Sequence, residues 1–507
     1  NMLSVFLWVL LVLFLGLYVH FRRRYKFWHN LGVPYVPPTF PVGNVGESVA
    51  AGKHFSYVIR DLYERTKENK YMGIYLFSSP CLLVNCPEMA KTILVKDFNT
   101  FIDRGVYYDE RKDPLSANLF FMEGQKWKNL RAKISPTFTS GKLKMLFHTV
   151  GAVTDELLGY ISERLEVSHT GKTLEIKDLM ARFTTDIIGM TAFGINCDSL
   201  HNPKSEFRQM GNRIVNITKI RSLSMLLAML NRNLARKANI RFTLEEDANF
   251  FMETVRNIIA QREQQNIKRN DFMDLMIQLK NKGKLEDAED SEDTDGLTFE
   301  EIAAQCWIFY FAGFETSSTT ITVALHQLSI NEDVQDRARE EVQRILAKHD
   351  GKFTYECIME MDYLTQVINE TLRLFPPVGT IHRIANQDYR LPNGAIMPKG
   401  TFVVIPNIAY QYDEEIFPNA HHFDPDRFKE DTRSNRHNFT FIPFGEGPRI
   451  CVGMRFGLMV IKIALAQILI HYRITLNEKT STQLEINNTA FVHTPKNDIW
   501  LNLAPIQ

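Results

Sequence analysis

The sequence lacks the features that mark several large classes of protein. It has six cysteines in 507 residues, with no CxxC pair and no regular spacing, so it does not resemble a disulfide scaffold. It has no excess of either charge, because Lys+Arg and Asp+Glu each number 59. Phosphate binding normally needs a basic excess, so nucleic acid is not expected as a partner. There is no internal repeat and no flavin or nicotinamide fingerprint, so electrons for any redox chemistry would come from another protein.

One long uncharged apolar run is present, at the N-terminal end. Leu3–Val19 carries no charge, and Arg22–Arg24 and Lys26 follow it. This length is near the ~20 residues needed to cross a bilayer. The alternative is a cleaved secretory signal, but the basic cluster follows the apolar run and no Ala-x-Ala-like site occurs. We therefore expect residues 1–21 to be a membrane anchor, with the rest of the chain on the cytoplasmic side.

The remainder is predicted to be a basic stop and proline-rich connector over residues 22–43, followed by one catalytic domain over residues 44–507. Helical periodicity dominates from about Gln125 to Lys280. Several shorter features are also predicted: strands at Tyr71–Phe77 and Cys81–Val84 around a Ser79-Pro80 turn, a hairpin at Tyr389–Pro406 turning at Pro392-Asn393-Gly394, an acidic solvated loop at Gly283–Gly296, and a strand-rich tail at Ile474–Leu503. The fold class is mainly α with small β-sheets.

The most informative segment surrounds Cys451. Phe444, Gly447, Arg449, Cys451 and Gly453 form the pattern F-x-x-G-x-R-x-C-x-G, directly before an apolar helical run at Met454–Ile470. A cysteine at a helix N-terminus favours the thiolate, because the helix dipole and free amides stabilise negative charge. Glycines permit a tight loop that a flat cofactor can approach. For a lone cysteine the alternative is a buried structural thiol in a turn.

A second segment combines an acid and a hydroxyl within an apolar helix. The sequence predicts a helix over Phe299–Ile330, starting at a Thr298/Glu301 capping box. Glu315 and Thr316 lie in its middle, where a buried acid is costly unless it is satisfied or functional. Thr316 is expected to bond back to the Ala312 carbonyl and to loosen the helix there. The alternative is a locally hydrogen-bonded pair in a core helix.

Three further sequence features are weak evidence of function when each is taken alone. Glu370 and Arg373 are spaced i,i+3 on a helix, and periodicity favours a solvated ion pair. Trp127 and Arg131 match W-x-x-x-R, and Arg383 follows a proline-containing segment. Surface arginines are frequent, so only their joint occurrence carries weight.

Taken together, these motifs resemble those of the cytochrome P-450 family, over essentially the whole chain. The resemblance implies a cytochrome P-450 fold in a single catalytic domain, preceded by a transmembrane helix. It implies that Cys451 is the axial thiolate ligand of haem b, within the loop bounded by Phe444 and Gly453. It also implies that Trp127, Arg131, Arg383 and Arg449 face the haem propionates.

The resemblance assigns the remaining residues as well. Thr316 would guide protons to bound oxygen and Glu315 would help to supply them. Glu370 and Arg373 would be buried and tied to Arg427 of Pro425-Asp426-Arg427-Phe428, as structural support. The distal substrate pocket would include Phe120, Phe121, Phe309, Ala312, Val378, Thr380 and Phe491.

The implied activity is that of an oxygen-dependent haem-thiolate monooxygenase, most like insect microsomal detoxifying members, in the endoplasmic reticulum membrane. It would hydroxylate or epoxidise apolar small molecules such as xenobiotics, plant allelochemicals or insecticides. Electrons would come from NADPH through a cytochrome P-450 reductase, with cytochrome b5 as a second candidate donor. A lysine-rich stretch is a candidate docking face: Lys126, Lys128, Lys133, Lys142 and Lys144.

Two alternatives remain: a haem-thiolate isomerase or dehydratase, which retention of Glu315 and Thr316 disfavours, and a non-catalytic gas-binding haem protein.

Overall fold

The computed structural model describes residues 2–50, 52–167, 173–215, 218–269, 271–285 and 295–506. The chain forms two compact units, each assembled from separate segments. Unit 1 contains Asn1–Val106, Gly379–Pro418 and His437–Ile450. Unit 2 contains Tyr107–Val378, Asn419–Arg436 and Cys451–Gln507.

Unit 1 combines short helices with two small sheets. Its helices are α1 (Met2–Arg24), α2 (Phe27–Asn30), α3 (Gly46–Val49), α4 (Phe55–Thr66), α5 (Pro87–Lys91) and α18 (Asn407–Tyr412). Its strands are β1 (Tyr71–Leu76), β2 (Ser79–Val84), β4 (Ile381–Ile384), β5 (Tyr389–Arg390), β6 (Ile396–Met397) and β7 (Phe402–Ile405).

The larger sheet of unit 1 has the strand order β1-β2-β7-β4. The predicted β1–β2 hairpin is confirmed, but its turn is at Phe77-Ser78 rather than Ser79-Pro80, since Ser79 already pairs with Leu76. Pro80 lies within β2, before the part of the strand that pairs with β7, where the missing N–H is tolerated. The turn requires a positive φ of 54° at Phe77, a conformation that the sequence did not reveal.

The predicted hairpin around Gly394 is also present. Strands β5 and β6 pair antiparallel, and Gly394 has a φ of +86°. The hairpin ends at Met397, however, because Phe402–Ile405 leaves it to pair with β2 and β4 in the larger sheet.

Helix α1 contains the apolar run and also the basic cluster, since its last turn is Arg22–Arg24. Its apolar part is exposed and long enough to cross a membrane. The end of α1 packs on the connector, where the ring centroids of Phe21 and Phe40 are 5.3 Å apart. Trp28 is fully buried and its indole N–H donates to the Ile74 carbonyl at 3.0 Å. The connector is thus fastened to the sheet of unit 1.

Unit 2 is mainly helical. Its helices are α6 (Gly124–Ile134), α7 (Ser140–Val167), α8 (Ile176–Ile188), α9 (Glu206–Val215), α10 (Lys219–Leu230), α11 (Arg232–Lys237), α12 (Glu245–Gln265), α13 (Phe272–Lys282), α14 (Phe299–Ile330), α15 (Glu332–Lys348), α16 (Tyr355–Met359), α17 (Asp362–Leu374), α19 (Glu430–Arg433) and α20 (Met454–His471). Its strands β3 (Thr173–Glu175), β8 (Tyr472–Leu476) and β9 (Trp500–Pro505) form one sheet in the order β3-β9-β8.

Helix α14 runs through the core of unit 2 with the predicted bounds. Its capping box forms on both sides, with Thr298 and Glu301 each bonding to the other's backbone. Such a cap satisfies amides that the helix itself leaves unpaired. Helix α20 is long and apolar enough to span a membrane, but it is mostly buried and is therefore a core helix.

Two other predictions have mixed outcomes. The tail after Ile474 contains β8 and β9, but the described segment between them forms only one isolated pair, Ile486 with Pro495. Residues 286–294 of the predicted acidic loop lie outside the described residues.

Candidate active site

Cys451 differs from the other five cysteines in its accessibility. It is exposed, Cys86 is half-buried and the other four are buried. Burial raises the pKa of Cys81, Cys197, Cys306 and Cys357, so these thiols stay neutral. Cys451 lies two residues before Gly453, the N-cap of α20, where the positive end of the helix dipole favours a thiolate. Its accessibility and its place before this helix make Cys451 the candidate ligand. Among the described residues, no group of three or more His, Cys, Asp or Glu could hold a metal ion.

In unit 1, the loop that leads to Cys451 is shaped by glycines. Gly445 and Gly447 both have a φ of +74°, which only glycine adopts easily. A Cβ at Gly447 would lie 2.1 Å from the Leu94 carbonyl oxygen, so no other residue fits there. Phe444, at the start of the loop, is half-buried.

Arg449 is buried in this same unit. Its Nη2 lies 3.5 Å from Asp103 Oδ1. Its backbone carbonyl accepts a hydrogen bond from Arg104 Nη2 at 3.1 Å. The loop therefore presents a buried guanidinium beside an acid, and a second arginine holds its backbone.

Arg383 on β4 is a buried cation of unit 1. It is 2% exposed, and burial together with the nearby charge of Arg104 lowers its pKa to about 9, although Asp103 opposes the shift. Its Nη1 donates to the His382 carbonyl at 2.8 Å. Its Nε is buried and has no hydrogen-bond partner within the described residues. A buried guanidinium with a spare donor is a site for an anionic group.

In unit 2, helix α6 carries both Trp127 and Arg131, and Arg131 lies near Cys451. Trp127 is buried and Arg131 half-buried. Burial lowers the pKa of Arg131, and the neighbouring charge of Cys451 opposes that shift. Arg131 is therefore close enough to the thiolate for their charges to interact.

These observations fit haem on chemical grounds. As a thiolate, the accessible Cys451 would supply the soft ligand that haem iron takes in haem-thiolate proteins. The spare donor of Arg383 suits a carboxylate such as a haem propionate. Arg131, Trp127 and Arg449 are the other predicted partners, and all are held on regular elements or in a glycine-bounded loop.

Glu315 and Thr316 occupy the middle of α14. Glu315 is 7% exposed, and burial raises its pKa to about 7 against the charges of Arg208 and Lys177. The Thr316 hydroxyl donates to the Ala312 carbonyl at 2.6 Å, as predicted. Ala312 is exposed and Thr316 half-buried, although the helix on either side of them is mostly buried. An accessible face with a hydroxyl, beside an acid that titrates near neutrality, suits proton transfer.

The expected loosening of α14 does not occur. The helix is continuous from Phe299 to Ile330, so the Thr316 hydroxyl shares the Ala312 carbonyl without breaking the helix. Tight packing against α8 explains this. A Cβ at Gly313 would lie 2.4 Å from Ile188 Cδ1, and the Thr184 hydroxyl donates to the Phe314 carbonyl at 2.9 Å.

The Glu370–Arg373 pair is buried, in contrast to the solvated pair that periodicity favoured. Both side chains are 0% exposed, and Arg373 Nε and Nη2 each donate to Glu370 at 2.7 Å. Arg427 Nε lies 3.4 Å from Glu370 Oε1, and the Asp424 amide donates to the same oxygen at 2.9 Å. Periodicity favoured a solvated pair because it takes no account of the 419–436 segment, which covers this face of α17. The buried pair tied to Arg427 that the resemblance implied is present.

The predicted pocket residues are distributed among several environments. In unit 2, Phe120, Phe121 and Phe491 form one aromatic cluster, with centroid distances of 5.3 Å and 6.2 Å from Phe120 to the other two. Val378 is exposed in the same unit. In unit 1, Thr380 is buried and bonds to His382 Nε2 at 2.8 Å.

Phe309 lies in a different aromatic group. Its ring is 5.5 Å from Phe138 and 5.6 Å from Phe272. Sequence reasoning missed three members of the cluster around Phe120: Phe242, Trp307 and Phe311. Trp307 and Phe311 are an i,i+4 pair on α14, a signal that was available in the sequence. Phe242 belongs to a segment with no regular pattern and offered none.

The known proteins compared with the chain belong to one family. A family model described as cytochrome P-450 matches residues 34–502. The chain is 41% identical to cytochrome P-450 6a2 of Drosophila melanogaster over 492 residues, covering 96% of both chains. It is 39% identical to cytochrome P-450 6A1 of Musca domestica, covering 96% of this chain and 95% of that protein. It is 40% identical to cytochrome P-450 6a9 of Drosophila melanogaster, covering 99% of both.

Proposed function

The chain belongs to the cytochrome P-450 family of monooxygenases, and we propose that it hydroxylates or epoxidises apolar foreign compounds with electrons from NADPH. The family's chemistry uses haem iron and molecular oxygen. The finer assignment to xenobiotics, plant allelochemicals or insecticides is supported by the likeness to insect relatives and by the aromatic character of the cluster around Phe120.

The observation that carries the proposal is the setting of Cys451. It is the exposed member of six described cysteines and precedes a helix N-terminus. Its motif also contains Arg449, whose side chain is fully buried. A structural thiol would be expected to be buried, as Cys81 and Cys306 are.

The proposal gives each group of side chains one task. Haem, when bound, supplies the redox and oxygen-insertion chemistry. Cys451 would hold the iron, and Trp127, Arg131, Arg383 and Arg449 would bind the propionates.

Proton handling would fall to two residues of α14. Glu315 has a pKa of about 7, so it exchanges a proton readily at neutral pH. The Thr316 hydroxyl would pass a proton on from the accessible face of the helix. A haem-thiolate isomerase needs no such externally supplied protons, so this pair favours a monooxygenase.

Electrons would be delivered by a membrane-bound NADPH-dependent reductase, with cytochrome b5 as a second donor. The lysine-rich stretch is only partly available for docking. Lys126 pairs with Glu110 at 2.9 Å, Lys144 pairs with Glu356, and Lys133 Nζ donates to the Asp295 carbonyl at 2.5 Å. Lys128 is exposed and stays part of the proposed docking face. The apolar helix α1 fits a membrane anchor, and we assign the chain to the endoplasmic reticulum membrane.

The test is product formation from an alkoxycoumarin by the full-length haem-loaded protein in vesicles. We expect dealkylated product that depends on NADPH, oxygen and the reductase together. Turnover of a lipid hydroperoxide without the reductase, and no coumarin product, would favour the isomerase. Haem binding with neither activity would favour the gas-binding protein.

A further inference from the structure

Phe242 lies at the centre of the aromatic cluster of unit 2. Its ring centroid is 4.5 Å from that of Phe121, 5.5 Å from Trp307, 6.2 Å from Phe311 and 6.3 Å from Phe491. All four contacts are edge-to-face, a favourable arrangement for aromatic rings. Phe242 therefore joins four rings that come from three separate parts of the chain.

The cluster has a buried floor and an accessible front. Trp307 and Phe311 stack at 5.5 Å with 18° between their planes, and both are buried. Phe491 is 44% exposed, and Phe242 is only partly buried. Ala312, the neighbour of Phe311 on α14, is exposed. The Phe242 ring thus rests on a packed aromatic layer while part of its own surface remains accessible to a ligand.

The backbone of Phe242 is held from both sides by charged side chains. Asp113 Oδ2 accepts hydrogen bonds from the amides of Phe242 at 2.8 Å and Thr243 at 2.9 Å. Arg221 Nη2 donates to the Phe242 carbonyl at 2.6 Å. Asp113 is 2% exposed, and its Oδ2 accepts both of the amide hydrogen bonds, whereas its Oδ1 has no hydrogen-bond partner among the described residues. These charge-assisted bonds fix a residue that lies between α11 and α12, outside any helix or strand.

We propose that Phe242 is a specificity-determining residue of the substrate site and that Asp113 positions it, so that planar aromatic substrates are preferred over compact aliphatic ones. The proposal rests on the proposed monooxygenase function, because it names the substrate class of that same site. A fixed aromatic wall gains ring–ring interactions with a flat ligand in addition to buried area. With a cage-shaped aliphatic ligand it gains buried area alone.

The test compares two apolar probes, pyrene and adamantane, on the full-length haem-loaded protein. Their dissociation constants are measured from the shift of the haem Soret band on titration. The variants are Phe242→Ala, Asp113→Ala and Asp113→Asn. The matched control is Phe250→Ala, because Phe250 is also a half-buried phenylalanine near the start of α12 but contacts Phe207, at 5.7 Å, outside the cluster.

We expect Phe242→Ala to raise the Kd of pyrene about tenfold relative to that of adamantane. Phe250→Ala should leave this ratio as in wild type. Asp113→Ala should reproduce the change, because the ring loses its fixed position. Asp113→Asn should restore most of the wild-type ratio, since its amide oxygen can still accept from the two backbone amides.

Two outcomes would overturn the inference. One is an unchanged ratio in Phe242→Ala. The other is an Asp113→Ala protein whose haem-loaded fraction keeps the wild-type ratio, since Asp113 would then be merely structural. Failure of the proposed function has a different signature, because the wild type itself would then lack a thiolate-type spectrum in its reduced carbon-monoxide complex.

Discussion

The Thr316 hydroxyl lies on the accessible face of a largely buried helix, with its proton directed to the Ala312 carbonyl at 2.6 Å. Thr316→Ala removes that hydroxyl without touching Cys451. We expect normal haem content and continued NADPH consumption, with less product and more peroxide per NADPH. Proton-transfer assistance is typically worth ~10²–10⁴-fold, and the loss should be smaller because water can replace a hydroxyl.

The matched control for this variant is Thr320→Ala. Thr320 lies one turn further along α14 and makes the same type of bond, to the Thr316 carbonyl at 2.8 Å. Its hydroxyl is buried rather than accessible, so the variant should keep the wild-type product yield. Equal yields for the two variants and wild type would remove Thr316 from the mechanism.

Glu315 should make product formation depend on pH. Burial raises its pKa to about 7, while Arg208 and Lys177 oppose the shift. The carboxyl is therefore protonated below about pH 7 and able to donate, and it loses its proton as the pH rises. Product per NADPH should fall as the pH rises through 7 in wild type. Glu315→Gln cannot titrate, so it should give a low and flat profile; a variant that keeps the wild-type inflection would show that another group supplies the protons.

Among the helices and strands, α17 is held in unit 2 by the buried Glu370–Arg373 ion pair. Glu370→Gln would leave Arg373 and Arg427 buried without their carboxylate, and breaking such a network costs roughly 3–5 kcal/mol. The control is Asp426→Asn, which removes the exposed Asp426–Arg337 pair at 2.9 Å and should cost about 1 kcal/mol or less. Urea unfolding followed by circular dichroism measures both. Similar losses in the two variants would contradict a supporting role for the network.

Sequence reasoning succeeded for elements whose signals are local. The α14 bounds followed from its capping box and apolar length, and the β5–β6 turn from Gly394. Sequence reasoning failed where contacts with a distant segment determine whether a residue is buried. By periodicity alone Glu370 appeared solvated, because nothing near it in sequence reveals the 419–436 segment that bonds to it. The resemblance implied a buried pair tied to Arg427, and that arrangement is present.

In the candidate site, too, residues within a local motif were recognised, and residues whose contacts come from distant parts of the chain were not. Cys451 and its loop were recognisable because the whole motif is contiguous. Phe242 was not, since its role depends on Asp113, which lies more than a hundred residues earlier in the chain. The resemblance assigned Phe309 to the pocket, and this stays a prediction; the structure places its ring beside Phe138 and Phe272.

For the whole molecule, attachment to a membrane should have two contributions. Deleting residues 2–20 removes the exposed apolar part of α1 and keeps Phe21 and Trp28, which pack on unit 1. We expect flotation with lipid vesicles to weaken but not vanish, because Leu223 and Leu227 of α10 are 37% and 44% exposed and can enter the interface.

The two contributions can be separated with one further variant. Leu223→Ser with Leu227→Ser in the shortened chain should abolish the remaining flotation. The same double substitution in the full-length chain should change flotation little. If the chain lacking residues 2–20 floats as completely as the full chain, α1 is not the anchor.

The central claim is that the whole chain is a haem-thiolate enzyme with Cys451 as the ligand. The most direct test is the spectrum of the reduced carbon-monoxide complex of wild type and Cys451→Ser, with Cys86→Ser as control. We predict the red-shifted thiolate-type Soret band in wild type and Cys86→Ser, and its loss in Cys451→Ser, because a serine oxygen is a far poorer iron ligand. The same band in Cys451→Ser, or its absence from haem-loaded wild type, would contradict the claim.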